Sequence, residues 1–342
     1  MKVSDGVRSG SVRLLLVALA LALIAAVTGC GAGGGAAGAG PVTAVLPVQD
    51  PVPVAEDPRP ALPVTVRSFD GVDVTVTSAD RIVAADRYGT LAQTVYALGL
   101  GDRLVGRSTA AAFPAVSALP SVTGGGGALN VEAVLALRPT VFLTDSTSAS
   151  AAVREQLRAV GVTVVYFDPE RGMDKVASQI QAVAEALGVP AEGRELARRT
   201  RQEIDAAGAE VPDDGERPRI AFLYLRSSAI TMLAGPGSGA DSLITAIGGE
   251  DAGTAAGLTE PFTAVTSEAM IAAAPQVILV MTDGLESLGG VDGLLKVPGI
   301  AQTPAGQQRR VVDMSDSVLL SFGPNTGRVV AALADAVYGT RA

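Results

Sequence analysis

Tyr224 and Arg226 stand two positions apart in AFLYLRSSAITMLAG (221–235), a stretch that is apolar at both ends. In a strand, residues i and i+2 share a face, so the phenol and the guanidinium would project side by side. A guanidinium nearby favours the phenolate and lowers a tyrosine pKa. Phenolate is a hard, anionic oxygen ligand suited to ferric iron, and tyrosine is among the proximal ligands that haem iron accepts. Arg226 can instead grip a carboxylate, such as a propionate, in bidentate fashion. The same spacing also fits a tyrosine that packs its ring and hydrogen-bonds its hydroxyl while Arg226 reaches solvent.

Composition narrows the chemistry further. The 342 residues contain no histidine, which removes the commonest metal ligand, every His-dependent triad and the usual general base at neutral pH. Hydrophobic residues make up 48% and charged residues 18%, enough apolar material for a sizeable core in two domains or lobes. The net charge is −9, which argues against nucleic acid as a partner.

The elements that must position Tyr224 and Arg226 follow from the order of the chain. Lys2, Arg8 and Arg13 precede an uncharged apolar run, Leu14 to Val27, too short to span a bilayer permanently, so residues 1–29 read as a secretory signal peptide. The sole cysteine, Cys30, ends VTGC, a match to the bacterial lipobox, in which the cysteine left by cleavage is acylated. An exported protein, lipid-anchored at the outer face of the cytoplasmic membrane, is expected, with no disulfide available. Residues 30–62 turn Gly/Ala-rich and then Pro-rich without an apolar period, and read as a tether.

Beyond it, VTVRSFDGVDVTVT alternates around Asp70-Gly71, a hairpin signal. Strand-like runs (RIVAA, RLVGRS, TVFLTD, TVVYFD, RIAFLYL, QVILVM, RRVVDM) then alternate with helical ones, which indicates α/β layers with parallel strands. EAVLALRPTVFL from Glu132 and EAMIAAAPQVIL from Glu268 align without a gap, with six of twelve positions identical. In each copy a helix stops before a proline (Pro139, Pro275) and a buried strand follows. The expected fold is therefore α/β: two Rossmann-like lobes with central sheets, 63–186 and 213–342, joined through residues 187–212 by one long helix from about Ala191 to Ala209. That single connection would permit only limited hinge motion.

In such folds ligands collect at the carboxyl ends of the strands, which here can face one cleft. Tyr88 in DRYGT follows the first parallel strand, and Phe322 in SFGPNTG comes from the other lobe. Both are candidates to line that cleft, whereas Tyr96 and Phe142 fit core positions. The run of glycines before Ala128 lacks the Gly-Lys-Ser/Thr of a phosphate loop, and Gly235, Gly237 and Gly239 do not match a dinucleotide fingerprint. Glu132 and Glu268 each come two residues after an N-cap, Asn130 and Thr266, where a carboxylate favours the helix dipole.

The lipobox, NVEAVLALRPTVFLTD, FLYLRSSAITMLAGPGSGADSLITAIGG and SEAMIAAAPQVILV together resemble the class III substrate-binding proteins of ABC importers, most closely the hemin-uptake lipoproteins, over residues 63 to 342. The resemblance implies a non-enzymatic, monomeric receptor that carries ferric haem or a related tetrapyrrole to an ABC permease. It implies Tyr224 as a tyrosinate axial ligand with Arg226 beside it, and Glu132 and Glu268 as one docking carboxylate per lobe for permease arginines. In that group the second axial ligand is a histidine in a Gly-rich loop ahead of LN, where this chain has Gly127. The departure leaves three outcomes: five-coordinate haem on Tyr224 alone, a substitute ligand from Tyr88, Met232 or Met314, or a different ligand such as a ferric siderophore or a corrinoid. A lipid-anchored hydrolase using TDSTSAS is the reading from another class, although that stretch fits a capped strand-to-helix loop.

Overall fold

The computed structural model describes residues 41–124, 127–212 and 217–339. The expected signal peptide, Cys30 and the first part of the tether, residues 30–40, lie outside them.

The described chain opens with a short strand, β1 (Val42–Ala44), and the predicted hairpin, β2 (Val64–Arg67) and β3 (Asp73–Val76), which pair antiparallel around Gly71. A four-stranded parallel sheet follows: β4 (Ile82–Ala85), β5 (Leu104–Arg107), β6 (Val141–Thr144) and β7 (Val164–Tyr166), ordered β5-β4-β6-β7. Every residue of β4 and β6 is buried, as strands covered on both faces require. The other lobe is built on β8 (Arg219–Arg226), β9 (Ile230–Ala234), β10 (Glu250–Asp251), β11 (Phe262–Ala264), β12 (Val277–Met281) and β13 (Val311–Met314). Its main order is β1-β13-β12-β8-β9-β11, with β9 and β11 antiparallel and β10 beside the start of β8. Both lobes are thus α/β. The repeated segment is a shared helix-to-strand unit rather than two copies of one sheet.

That unit is reproduced closely. Helix α1 (Val131–Ala136) leads to β6 and helix α2 (Ser267–Ala273) to β12. Asn130 and Thr266 each accept the N–H three residues on, from Ala133 and Ala269. Arg138 and Ala274, equivalent positions ahead of the two prolines, both take left-handed backbone angles, φ 46° and 41°. The unit ends the same way twice because the proline ring disfavours helical backbone in the residue before it.

Helix α3 (Pro190–Ala209) starts with Pro190 in its first turn, two residues after Gly188, which is in left-handed geometry. Its 20 residues extend about 30 Å. Gly193 lets it press onto Ala184 of the preceding helix in the first lobe. On the other side, Gly327 of the C-terminal helix α4 (Thr326–Tyr338) lies so close that a Cβ there would stand 2.6 Å from the Glu203 backbone. Small residues at both crossings hold the connecting helix against each lobe.

The expected tether needs correction from Val42 onward. β1 adds a parallel strand to β13 at the edge of the second lobe's sheet. The Arg328 guanidinium donates to Val48 O (2.8 Å) and Asn325 Nδ2 to Gln49 O (3.0 Å). The chain then crosses to the first lobe, where Ala115 N donates to Asp50 Oδ1 and Val54 N to Ala97 O, both at 2.8 Å. Prolines stiffen this strap, and its backbone groups bond outward to the body rather than within the segment. The lobes therefore have two covalent connections, the strap and α3, and not the single helical one expected.

Deleting residues 41–53 should lower the stability of the protein by about 2 kcal/mol or more, since Leu46 and the β1 edge lose their burial. Calorimetry measures this directly; a passive tether would leave the melting temperature unchanged.

Candidate functional site

Tyr224 and Arg226 occupy the carboxyl end of β8 with the alternation expected. Residues 220–223 and 225 are buried, while Tyr224 and Arg226 are half-buried on the shared face. The turn to β9, with Ser227 at φ 50°, brings Met232 opposite Tyr224 in the ladder, and Phe262 on β11 meets the phenol ring edge-on, centroids 6.3 Å apart. The Arg226 guanidinium lies over the Tyr224 ring, 4.6 Å from its centroid. It donates to Leu225 O at 2.8 Å and pairs with Asp316 Oδ2 at 2.9 Å. The cation thus sits on the ring face and is neutralised by Asp316, instead of reaching the phenol oxygen. Burial raises the Asp316 carboxyl above the usual range, with Arg226 opposing the shift.

Asp316 and Phe262 were not singled out in the sequence. The signal for Asp316 was its place two residues past β13, where strand carboxyl ends gather ligands. Phe262 left none, because its strand is three residues long.

On the first lobe, the loop after β4 carries Tyr88, and its floor is ionic. Asp86, fully buried, accepts backbone N–H groups from Tyr88, Thr90 and Leu91. Arg171, whose side chain is 4% exposed, contacts Asp145 Oδ2 at 2.7 Å and Asp86 Oδ2 at 3.3 Å, while its guanidinium lies 5.6 Å from the Tyr88 ring centroid. Burial, outweighing Arg87 and Arg171, lifts the Tyr88 hydroxyl above the ordinary tyrosine range, so Tyr88 is a neutral phenol. Asp145 is pushed up to about 6, chiefly by burial and then by the Asp86 carboxylate, against the pull of Arg171.

The other sequence candidates separate clearly. Gly127 has φ 82° with open space where a Cβ would be, in a turn closed by Gly124 N donating to Ala128 O at 2.9 Å. Phe322 does not line an open cleft: its ring is 3% exposed and packs against Gly239, whose lack of a side chain admits it. Met314 is fully buried and cannot reach a ligand. Met232, the cross-strand neighbour of Tyr224, stands beside it about 5 Å away on one face, so it cannot bind the opposite side of a planar guest. Tyr88 and Tyr224 flank one apolar cluster that runs through Phe322 and both lobes. Glu132 and Glu268 are exposed in the first turns of α1 and α2.

The lobes are also in direct contact. Thr90 Oγ1 donates to Ser321 O, Gln93 Nε2 to Ser317 O (3.0 Å) and Met173 N to Ser242 Oγ (3.3 Å). Two α/β lobes in contact at the carboxyl ends of their strands, linked by a clamped helix, define a two-lobed ligand-binding protein. Residues 85–318 match the periplasmic binding protein family, and the chain belongs to it: a binding protein rather than an enzyme.

Among solved structures, the haem-binding protein HmuT is 36% identical with a TM-score of 0.83, covering 88% of this chain and 98% of that one. HmuT has also been solved with a histidine, a tyrosine or an arginine replaced by alanine, the last two standing two positions apart. An uncharacterized ABC transporter substrate-binding lipoprotein of Bacillus subtilis (strain 168), YvrC, is 26% identical over 291 residues, 83% of this chain and 88% of the relative. The vitamin B12-binding protein of Yersinia pestis (strain Pestoides F) is 27% identical over 204 residues, 59% of this chain and 70% of the relative. Among the described residues, no helix is long and apolar enough to cross a membrane.

The ionic floor predicts a pH dependence. Because the folded state raises Asp145 from 3.8 to about 6, it holds that proton more tightly than the unfolded chain does. The stabilising contribution is complete below about pH 4 and is lost as pH rises through about 6. Thermal melts of wild type and Asp145→Asn across this window should diverge with rising pH, the variant keeping the stability that wild type loses; parallel curves would show that Asp145 does not carry the pH dependence.

Proposed function

We propose that this protein is the haem receptor of an ABC importer, an exported, monomeric lipoprotein anchored through Cys30 that hands ferric haem to its permease. The observation that carries the reading is the half-buried Tyr224 at a strand end with Arg226 laid on its ring. The likeness to HmuT over most of both chains supports haem as cargo, and the tyrosine-arginine spacing of the HmuT variants matches that of Tyr224 and Arg226.

Tyr224 supplies the anionic oxygen to the iron. Arg226 and Asp316 form a balanced pair at its base, from which Arg226 can turn to a propionate. With no histidine in the chain and Tyr88 a neutral phenol, haem is held by one protein ligand, with Tyr88 walling the other face. Glu132 and Glu268, one per lobe, meet basic groups of the permease.

Ferric haem titrated into the soluble domain should give a tyrosinate charge-transfer spectrum. Tyr224→Phe should abolish those bands and weaken binding at least tenfold, about 1.4 kcal/mol, while Tyr88→Phe keeps them. Equal affinity and spectra for wild type and Tyr224→Phe would remove Tyr224 from the site.

Gly127→His offers a complementary test, because a side chain at 127 enters open space. The variant should convert high-spin haem to a six-coordinate low-spin form, read by its visible and electron paramagnetic resonance spectra. An unchanged spin state would mean that position 127 does not face the iron.

The relative in Yersinia favours one second reading, a corrinoid. Cobalamin binding tighter than haem binding in the same titration would select it.

A further inference from the structure

The ion pair beside Tyr224 joins a partner that is fixed to one that can move. Asp316 sits in the loop just past β13, and its two carboxylate oxygens are engaged separately. Oδ1 accepts the backbone N–H of Asp283 at 3.0 Å, and Oδ2 meets Arg226 Nη2 at 2.9 Å. The Asp316 side chain is short and 21% exposed, whereas that of Arg226 is long and 40% exposed, within reach of a guest. When the pair opens, Arg226 is the side that swings, because Asp316 keeps its bond to the short helix Thr282–Glu286.

The resting position of the guanidinium is shaped by its neighbours. Nη1 donates to Leu225 O at 2.8 Å, Nη2 lies 4.0 Å from Met281 Sδ, and Cζ stands over the Tyr224 ring. Gly284 leaves room for this arrangement: a Cβ there would stand 2.9 Å from Leu225 O and 3.4 Å from Arg226 Nη1. A larger residue at 284 would crowd the cation and its carbonyl acceptor at once.

We infer that Asp316 is a specificity-determining residue of the site, a built-in carboxylate that a guest's own carboxylate has to displace from Arg226. This rests on the haem-receptor reading above, in which the guest's carboxylate is a propionate. The two carboxylates are chemically alike, so exchanging one for the other on the same guanidinium gains little Coulomb energy. The exchange also strips a partly buried Asp316 of its cation, with the Asp283 N–H to offset the loss, and that desolvation opposes it. A guest without a carboxylate disturbs none of this and meets the pair intact. The grip of the site therefore depends weakly on whether the guest is an acid and strongly on what it offers to the Tyr224 oxygen. Asp316 also favours release, since it reclaims Arg226 once the propionate moves away.

The test compares ferric protoporphyrin IX with its dimethyl ester, which has the same iron and ring but no free carboxylate, on the full chain purified in detergent. Wild type should bind the two with similar affinity. Asp316→Asn keeps the shape of the side chain and an oxygen for the Asp283 N–H, but it loses the charge that holds Arg226. In that variant the ratio of diacid to diester affinity should rise about tenfold, with slower dissociation of the diacid. Adding Arg226→Gln to Asp316→Asn should abolish the rise, which a purely structural role for Asp316 would not predict. A ratio that Asp316→Asn leaves unchanged, or a rise that persists without Arg226, would overturn the inference, while haem binding by wild type would leave the receptor reading standing. Failure of wild type to bind either compound would overturn both.

Discussion

One guanidinium buried among carboxylates governs the geometry of this protein. Arg171 follows β7, yet its side chain reaches the aspartates at the ends of β4 and β6, tying three loops at the carboxyl edge of the first lobe. Left alone, Asp86 and Asp145 would repel each other in a place with little water, and Arg171 without them would be a stranded buried cation. Together they form a unit in which each buried charge is offset by another. It supports Tyr88 from below through the cation lying on its ring. The Arg171 backbone carbonyl also abuts Gly239 of the second lobe, beside Phe322, so the same residue that sets the first lobe's binding edge also fixes where the lobes meet.

From that meeting edge the mechanics follow. A hinge confined to one helix would let the lobes swing about it, but α3 is pressed against both lobes at glycines, and the strap before β2 crosses between them a second time. Large closure would have to break the strap's hydrogen bonds, strip β1 from β13 and shear packed helix surfaces. The strand-end edges of the two lobes are therefore held close to their working arrangement before a guest arrives. On the proposed reading, release would need an outside force applied to the lobes, and the exposed Glu132 and Glu268 on α1 and α2 would be the groups to transmit it.

The parts of this arrangement that were legible in the sequence share a property: they are local. The hairpin around Gly71, the stop of each repeated helix before Pro139 and Pro275, the start of α3 at Pro190 and the pairing of Tyr224 with Arg226 on one face all depend on backbone rules acting over a few residues. What escaped was long-range. Residues 41–62 have the composition of a linker, and nothing within them says that Arg328 and Asn325, far along the chain, will accept them as a strand and strap. Phe322 has the apolar character of a cleft wall, but Gly239, remote in sequence, gives it a buried slot instead. Asp316 looked like an ordinary loop aspartate until the fold carried it to Arg226.

That last contact changes the chemistry expected of the tyrosine. A free guanidinium beside a phenol would make the phenolate easier to form. In the folded protein Arg226 already faces the carboxylate of Asp316 at 2.9 Å, and it lies on the face of the ring rather than at the oxygen. On the proposed reading the ferric ion, a strong Lewis acid, would therefore have to supply the pull on the Tyr224 oxygen that the engaged guanidinium does not. On that reading the site favours a guest that brings a metal to the Tyr224 oxygen over a metal-free guest of the same outline, which would meet only the ring and a neutralised ion pair.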